Sequence, residues 1–573
     1  MINPISPLKR FIGLLKTEGE SVRKIYLYAI FNGFVALSLP LGIQSIISFV
    51  QTGQVTASWL VLVFIVVGGI ILAGWLQVLQ LQTSEKIQQR IYAKSALEIA
   101  YRLPKIKSED MYHFYAPELA NRFFDTLTIQ KGLSKILIDF TSALMQIAFG
   151  LLLLSFYHPF FILLGILISV LLFLIIRVTF AVGLETSIDE SKYKYQTAHW
   201  LEEIARSLFS FKLSGDSELH IEKADSIAKD YLDARQRHFA VLLKQYWSMI
   251  GFKAVLALSL LLIGGFLVIN QSMNIGQFVA AEIIILLVLA SVEKLILSAE
   301  TIYDVLTAFD KLGTITDLDL ERQTNNVTTF KCETSGMKIE FSNVNFNYPG
   351  RSLQVLEEIN FKIEDGEKVC LIGKNASGKA SLLNLVSTLY TPTLGSIKFN
   401  EYHSIDLNLD RIRTFIGSYL ESEEIFEGSL YENISLNRRS VQVEQVIWAI
   451  EKVKLNDYLD NINLGMHAII KPTGKSLSKS VIQKILLARS IVIKPKLLLI
   501  GNNFNNLSSQ DKHEIIDFIC DKEQAWTLVS SSNDPYLASK CDRIFVMDKG
   551  RIKREGKYSD LKKNEEIKNI LDA

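Results

Sequence analysis

Apolar residues concentrate in six runs over the first 300 positions, at 25–50, 59–81, 136–157, 159–182, 249–269 and 275–297. Each run is about 20 residues or longer, enough for a helix to cross roughly 30 Å of hydrocarbon. Three of the connections are short and carry no Lys, Arg, Asp or Glu: residues 51–58, the turn at His158-Pro159, and N-Q-S-M-N from Asn270. The N-terminus and the long stretches 83–135 and 184–247 instead hold many basic residues, among them Lys9, Arg10, Arg23, Arg90, Lys94, Lys105, Lys192, Arg206, Lys212 and Lys244. Basic loops stay on the cytosolic side of a membrane. The pattern therefore predicts six membrane helices with both termini cytosolic.

The two long stretches keep apolar residues at three- and four-residue spacing, with few Gly or Pro, so they are predicted to continue the membrane helices into the cytosol. Near their tips, residues 112–125 (Y-H-F-Y-A-P-E-L-A-N-R-F-F-D) and 206–216 (R-S-L-F-S-F-K-L-S-G-D) mix aromatics with charge. That composition suits a contact surface, and it equally suits helix packing at a bend. Glu282 lies inside the sixth run, where an ionisable group usually faces protein or a water-filled path. It is a candidate for a substrate path, or a group near the outer interface bonded to a neighbouring helix.

After Leu320 the pattern changes. A polar stretch (E-R-Q-T-N-N-V-T-T) reads as part of a linker at 313–337, which divides a membrane domain at 1–312 from a second domain at 338–573. Short alternating strands begin at Lys338, and buried strands follow at V-C-L-I (369–372), L-L-L-I (497–500) and T-L-V-S (527–530), with helical segments between. This is the pattern of an α/β domain around a largely parallel sheet. The first buried strand runs into Gly373, Lys374, Asn375, Ala376, Ser377, Gly378, Lys379, Ala380 and Ser381. That run matches G-x-x-x-x-G-K-[S/T], a loop whose backbone N–H groups and lysine cradle phosphates, except at its last position. There the hydroxyl that would hold magnesium is replaced by the methyl group of Ala380.

Bulk properties narrow the picture further. A chain of 573 residues is too long for one ordinary domain. Its 61 Lys and Arg nearly balance 60 Asp and Glu, which argues against nucleic acid as a partner. Cys332, Cys370, Cys520 and Cys541 form no C-x-x-C pair and are expected to be free thiols in a reducing compartment. The start, M-I-N-P-I-S-P-L-K-R, leads into a basic amphipathic stretch, so no cleavable signal peptide is expected.

Six spans with long cytosolic extensions, followed by this nucleotide domain, resemble a half-transporter of the ATP-binding cassette (ABC) exporter superfamily along almost the whole chain. The region M-N-I-G-Q-F-V-A-A-E (273–282) is similar to bacterial protein and peptide exporters of type I secretion. The resemblance implies an all-α membrane domain joined to an α/β P-loop NTPase domain, ATP as ligand, and a bacterial inner membrane location. It also implies a second exporter half as partner and an unknown exported substrate. By the same resemblance, Tyr348 takes the place of the ring that stacks on adenine, and Lys379 that of the phosphate-contacting lysine. Other positions depart from the pattern. Glu421 stands for the glutamine that links nucleotide to membrane domain. The signature L-S-G-G-Q reads Leu477, Ser478, Lys479, Ser480, Val481. The strand P-K-L-L-L-I should end in an aspartate and a glutamate but ends in Gly501 and Asn502; Ser508 and Asn533 replace a later aspartate and a histidine.

These substitutions bear directly on chemistry. Phosphoryl transfer relies on magnesium to neutralise oxygens and on a polar group to orient water. Ala380 and Gly501 offer the metal nothing, and Asn502 cannot take a proton near neutral pH. Hydrolysis at this loop is expected to be nearly absent, while the backbone nest, Lys379 and Tyr348 leave room for weaker, metal-poor nucleotide binding. The chain is thus expected to be the impaired half of an exporter dimer for a peptide, protein or lipophilic substrate. A non-transporting nucleotide sensor or scaffold, and a residually active homodimeric exporter, are the alternatives.

Overall fold

The computed structural model describes residues 5–51, 57–322, 334–421, 423–460, 464–471, 477–501 and 504–571. They divide into two compact units, one of Met1–Pro104 with Tyr115–Leu318 and the other of Lys105–Phe114 with Asp319–Ala573. Asn502, Cys332 and residues 323–333 of the expected linker lie outside the described residues.

The first unit is all helix. Among the described residues, six helical stretches are long and apolar enough to span a membrane: Gly19–Gln51, Ala57–Lys105, Ala116–Tyr157, Phe160–Arg206, Leu219–Ile269 and Ile275–Thr316. Unbroken helices of 46 residues at Ala57–Arg102 and 47 at Phe160–Arg206 carry apolar runs directly into charged extensions. At 1.5 Å per residue each is about 70 Å long, more than twice the hydrocarbon thickness. The breaks have local causes. Pro40 has no N–H for the Ala36 carbonyl, and the first stretch divides into Gly19–Ala36 and Ser38–Gln51. Pro159 disfavours helix at the residue before it, and His158 is extended at φ −161° and ψ 141°. The last helix opens on a capping box in which Asn274 accepts from Gln277 N (2.7 Å) and Gln277 accepts from Asn274 N (3.0 Å).

Small residues and polar bridges hold these helices together, as is usual where lipid removes the hydrophobic drive between them. Gly183 lets the Tyr303 ring lie where a Cβ would be 2.5 Å away. Gln245 then donates to the Tyr303 hydroxyl (2.8 Å) and to Thr179 Oγ1 (2.9 Å). Lys253 and Glu293, charges within apolar stretches, neutralise each other at 2.6 Å.

The second unit contains two main sheets. One is antiparallel in the order β2-β1-β4-β5, from Ile339–Phe346 (β1), Leu356–Ile363 (β2), Leu394–Phe399 (β4) and Tyr402–His403 (β5). A short antiparallel pair joins Gly428–Ser429 (β7) to Ile469–Ile470 (β8). The other main sheet has six strands in the order 551–556, 543–548, 368–373, 527–531, 497–500 and 416–419. Its strands Lys368–Gly373 (β3), Ile416–Tyr419 (β6), Leu497–Ile500 (β9), Thr527–Ser531 (β10) and Arg543–Asp548 (β11) are parallel, and Arg551–Gly556 (β12) pairs antiparallel at the edge. Alternate residues of the central strands enter two separate cores. Cys370, Ile372, Leu498, Ile500 and Leu528 face one, and Val369, Leu371, Leu497, Leu499 and Val529 face the other. Burial on both faces explains why these strands read as continuous apolar runs. The antiparallel sheet contains the alternating strand expected from Lys338, as Ile339–Phe346, and adds partners that the sequence pattern did not single out.

Candidate functional site

β3 ends at Gly373, and the helix Lys379–Val386 begins after a further five residues, so the intervening loop lies at the carboxyl end of the parallel sheet. Its shape depends on two glycines. A Cβ on Gly373 would sit 2.3 Å from the Met547 carbonyl, and Gly378 has φ +100° with Leu356 Cδ2 2.8 Å from where its Cβ would be. No side chain fits either position. Ala376 also adopts positive φ, at 62°. Lys374, Asn375 and Ala376 are exposed, and Ser377 and Ser381 are buried.

Lys379 folds back over this loop. Its ammonium donates to the carbonyls of Gly373 (2.6 Å) and Lys374 (3.0 Å), with Ser377 Oγ at 3.4 Å. Burial lowers its pKa below the ordinary lysine value, against the opposing influence of Cys370 and Glu421. The nest of N–H groups, the lysine and the helix N-terminus together form a cradle of the kind suited to phosphate. Asn533 closes one side of it, accepting a hydrogen bond from Gly373 N at 3.1 Å. Tyr348 stands beside the helix that follows, its hydroxyl 3.0 Å from Ser381 Oγ. A cavity of about 320 Å³ opens by the loop between Lys374, Asn375, Asn533 and the C-terminal residues Glu566, Asn569 and Ile570.

The remaining predicted positions separate from the cradle. The exposed Ala380 turns a methyl group outward where a hydroxyl would be needed. Gly501, at the end of β9, donates its N–H to Tyr419 O (2.8 Å). A Cβ there would lie 3.0 Å from Leu420 Cδ2 and 3.1 Å from Leu383 Cδ1, so apolar side chains border the position. Glu421 is exposed next to Leu420. Ser508 caps the helix Ser509–Cys520 by accepting from Asp511 N at 3.1 Å. Cys370, Cys520 and Cys541 are buried free thiols.

In the signature region, Ser478 caps the helix Lys479–Ile491 and accepts from Val481 N at 3.2 Å. Lys479 is exposed, and Leu477, Ser480 and Val481 are partly buried. Replacing Ser478 by Ala is expected to cost about 1 kcal/mol of local helix stability. Hydrogen exchange at Lys479–Val481 would register it, with the phosphate loop unaffected.

Glu282, in the first unit, is half-buried in the helix Ile275–Thr316 and has no ion pair among the described residues. A different feature stands out there, of which the sequence singled out only the part around Arg122. Arg122, Tyr195, His199, Trp200 and Lys223 border a cavity of about 550 Å³ among the charged helix extensions. Glu282 does not line it. Its residues come from helices far apart in sequence, with no local motif to announce them.

Two family models match. "ABC transporter transmembrane region" covers residues 24–292, and "ABC transporter" covers residues 356–505, which include the phosphate loop and the signature. The chain is an integral membrane protein of the ABC transporter family, with the membrane region and the nucleotide domain on one polypeptide. Among curated relatives, it is 28% identical over 309 residues to the alpha-hemolysin translocation ATP-binding protein HlyB of Escherichia coli, covering 54% of this chain and 43% of HlyB. It is 27% identical over 312 residues to the leukotoxin translocation ATP-binding protein LktB of a Pasteurella haemolytica-like species, covering 54% of this chain and 44% of LktB. A putative export ATP-binding/permease protein of Rickettsia bellii is 31% identical over 244 residues, 42% of each chain. The matched stretches thus span less than half the length of these relatives. A solved structure of a bacterial Atm1-family ABC exporter with ATP bound shares the fold, with a TM-score of 0.80, 17% identity and 96% of each chain covered.

Proposed function

We propose that this chain is the catalytically impaired half of an ABC exporter dimer, binding ATP without depending on magnesium and supplying half of a transmembrane path. The observation that carries the reading is the pairing of an intact phosphate cradle with an apolar boundary where the metal ligands belong. Magnesium, which the family implies, does not fit these residues. It takes oxygen ligands in near-octahedral geometry, and here Ala380 offers a methyl group while Leu383 and Leu420 crowd Gly501. No cluster of three or more His, Cys, Asp or Glu suited to a metal exists among the described residues.

The cradle's own residues account for binding. Lys379 and the loop N–H groups can neutralise phosphate oxygens without a metal, and Asn533 is within reach of the loop to donate to one once its bond to Gly373 is exchanged. A fluorescent ATP analogue is therefore expected to bind the full-length protein within about twofold as well in chelator as in magnesium. A tenfold gain with magnesium would overturn this reading.

The dimer rests on the signature. In this family each site joins one subunit's phosphate loop to the other's signature, and Lys479 and Ser480 stand where glycines let backbone approach phosphate. A partner with intact motifs would compensate for the impaired loop. The relatives' names refer to translocation of leukotoxin and alpha-hemolysin, which supports a peptide or protein substrate leaving the cytosol across a bacterial inner membrane. Co-purification with mass spectrometry should recover a second exporter half with serine or threonine after its loop lysine. Recovery of the chain as a homodimer alone would count against the heterodimer.

A further inference from the structure

Tyr348 is not open to a base. Its ring has Phe346 edge-on at 4.9 Å and 76°, and Tyr390 edge-on at 5.3 Å and 87°. Its hydroxyl is tied to Ser381 (3.0 Å) and Asn384 Nδ2 (3.4 Å), both on the helix that follows the phosphate loop. Among the described residues its parallel partner is Tyr112, stacked at a centroid distance of 5.2 Å and an interplanar angle of 16°. A base inserted between the two rings would need two layers of about 3.5–4 Å each. The gap holds one. Tyr112 therefore occupies a flat face of Tyr348 on which a nucleobase would lie.

Tyr112 belongs to Lys105–Phe114, the short segment that departs from the helical unit and forms part of the nucleotide unit. Its start is held by buried Ile106, which bridges Leu320, and by backbone bonds from Lys107 N to Asp319 O (3.0 Å) and from Glu321 N to Lys105 O (2.7 Å), while its further side-chain attachments are polar and mostly exposed. Glu109 accepts from Thr391 N (2.9 Å) and Thr391 Oγ1 (2.8 Å), and Lys105 pairs with Asp410 at 3.2 Å. Arg351 lies 5.9 Å above the Tyr112 ring. Exposed ion pairs of this kind contribute little stability. Tyr112 stacks on Tyr348, and the neighbouring His113 ring lies against Gly350, where a Cβ would be 2.9 Å from it.

We infer that Tyr112 is a positioning residue that holds the nucleobase's place, so that the base of an incoming purine nucleoside triphosphate must displace it. Base entry then loosens Lys105–Phe114 from the nucleotide unit. The inference rests on the nucleotide-binding reading above. The phosphates are free to reach their cradle in either state, and the base competes with a side chain. The protein thus favours the polyphosphate part of its ligand and discounts the base, because the competent state is only part of the population.

The test compares ATP with inorganic tripolyphosphate, by competition against a fluorescent ATP analogue on the full-length protein in detergent. Tyr112→Ala should tighten ATP about two- to tenfold, the range of one aromatic stack, and leave tripolyphosphate unchanged, which also shows that the loop is folded. Tyr112→Phe, which keeps the ring, should behave as the wild type. Tyr348→Ala in the Tyr112→Ala background should abolish the gain. An unchanged or weakened ATP-to-tripolyphosphate ratio in Tyr112→Ala would overturn the inference while leaving nucleotide binding standing. Failure of both probes to bind any variant would remove the nucleotide reading and the inference with it.

Discussion

Purified without a partner, the full-length chain is expected to hydrolyse ATP at least about a hundredfold more slowly than an ABC protein with complete metal and water groups. Loss of one well-placed electrostatic group commonly costs about 10²–10³ in rate. Here Ala380, Gly501 and Asn502 remove three, and such losses do not simply multiply, because the groups act as a unit. Restoring the hydroxyl alone with Ala380→Ser should therefore recover almost nothing. Phosphate release with magnesium, measured against a chelator blank, checks both statements. Robust magnesium-dependent turnover by the unmodified chain would refute the impaired-half assignment.

The second large effect concerns Gly501. Gly501→Asp puts back a carboxylate that the family pattern calls for, yet it is expected to destabilise the nucleotide unit by about 1–3 kcal/mol and not to restore hydrolysis. The Cβ alone would come within 3.0 Å of Leu420 Cδ2 and 3.1 Å of Leu383 Cδ1, and both leucines are nearly fully buried. Contacts this tight force the neighbours to shift, and a carboxylate placed against leucine methyl groups loses part of its hydration. Gly501→Ala should show the packing part alone, with a smaller loss. Thermal unfolding of the three proteins in the same detergent separates the contributions. An aspartate variant as stable as the parent would mean that the leucines yield and the pocket accommodates oxygen ligands.

How much of this was legible in the chain differs by element. The membrane helices were, because about 20 apolar residues with few charges have few other fates, and the charged extensions kept the same periodicity. The phosphate loop was as well. Gly373 and Gly378 are required by local geometry, so the motif is written in consecutive residues. The substitutions at Ala380, Gly501 and Asn533 could be located by spacing from the strands that carry them. Their surroundings could not. Nothing near Gly501 in sequence announces Leu383, more than a hundred residues earlier, and nothing around Tyr348 announces Tyr112.

Residue order alone thus determined which segments are long and apolar enough to cross lipid, where a phosphate-loop motif sits, and which of its positions depart from the family pattern, since each depends on neighbours within a turn or a strand. Tertiary structure decided what surrounds the altered positions and Tyr348. Leu383 and Leu420 border Gly501, Asn533 bonds to Gly373, and the ring of Tyr112 lies on Tyr348. Such contacts join residues far apart in the chain, and close packing rather than local propensity selects them.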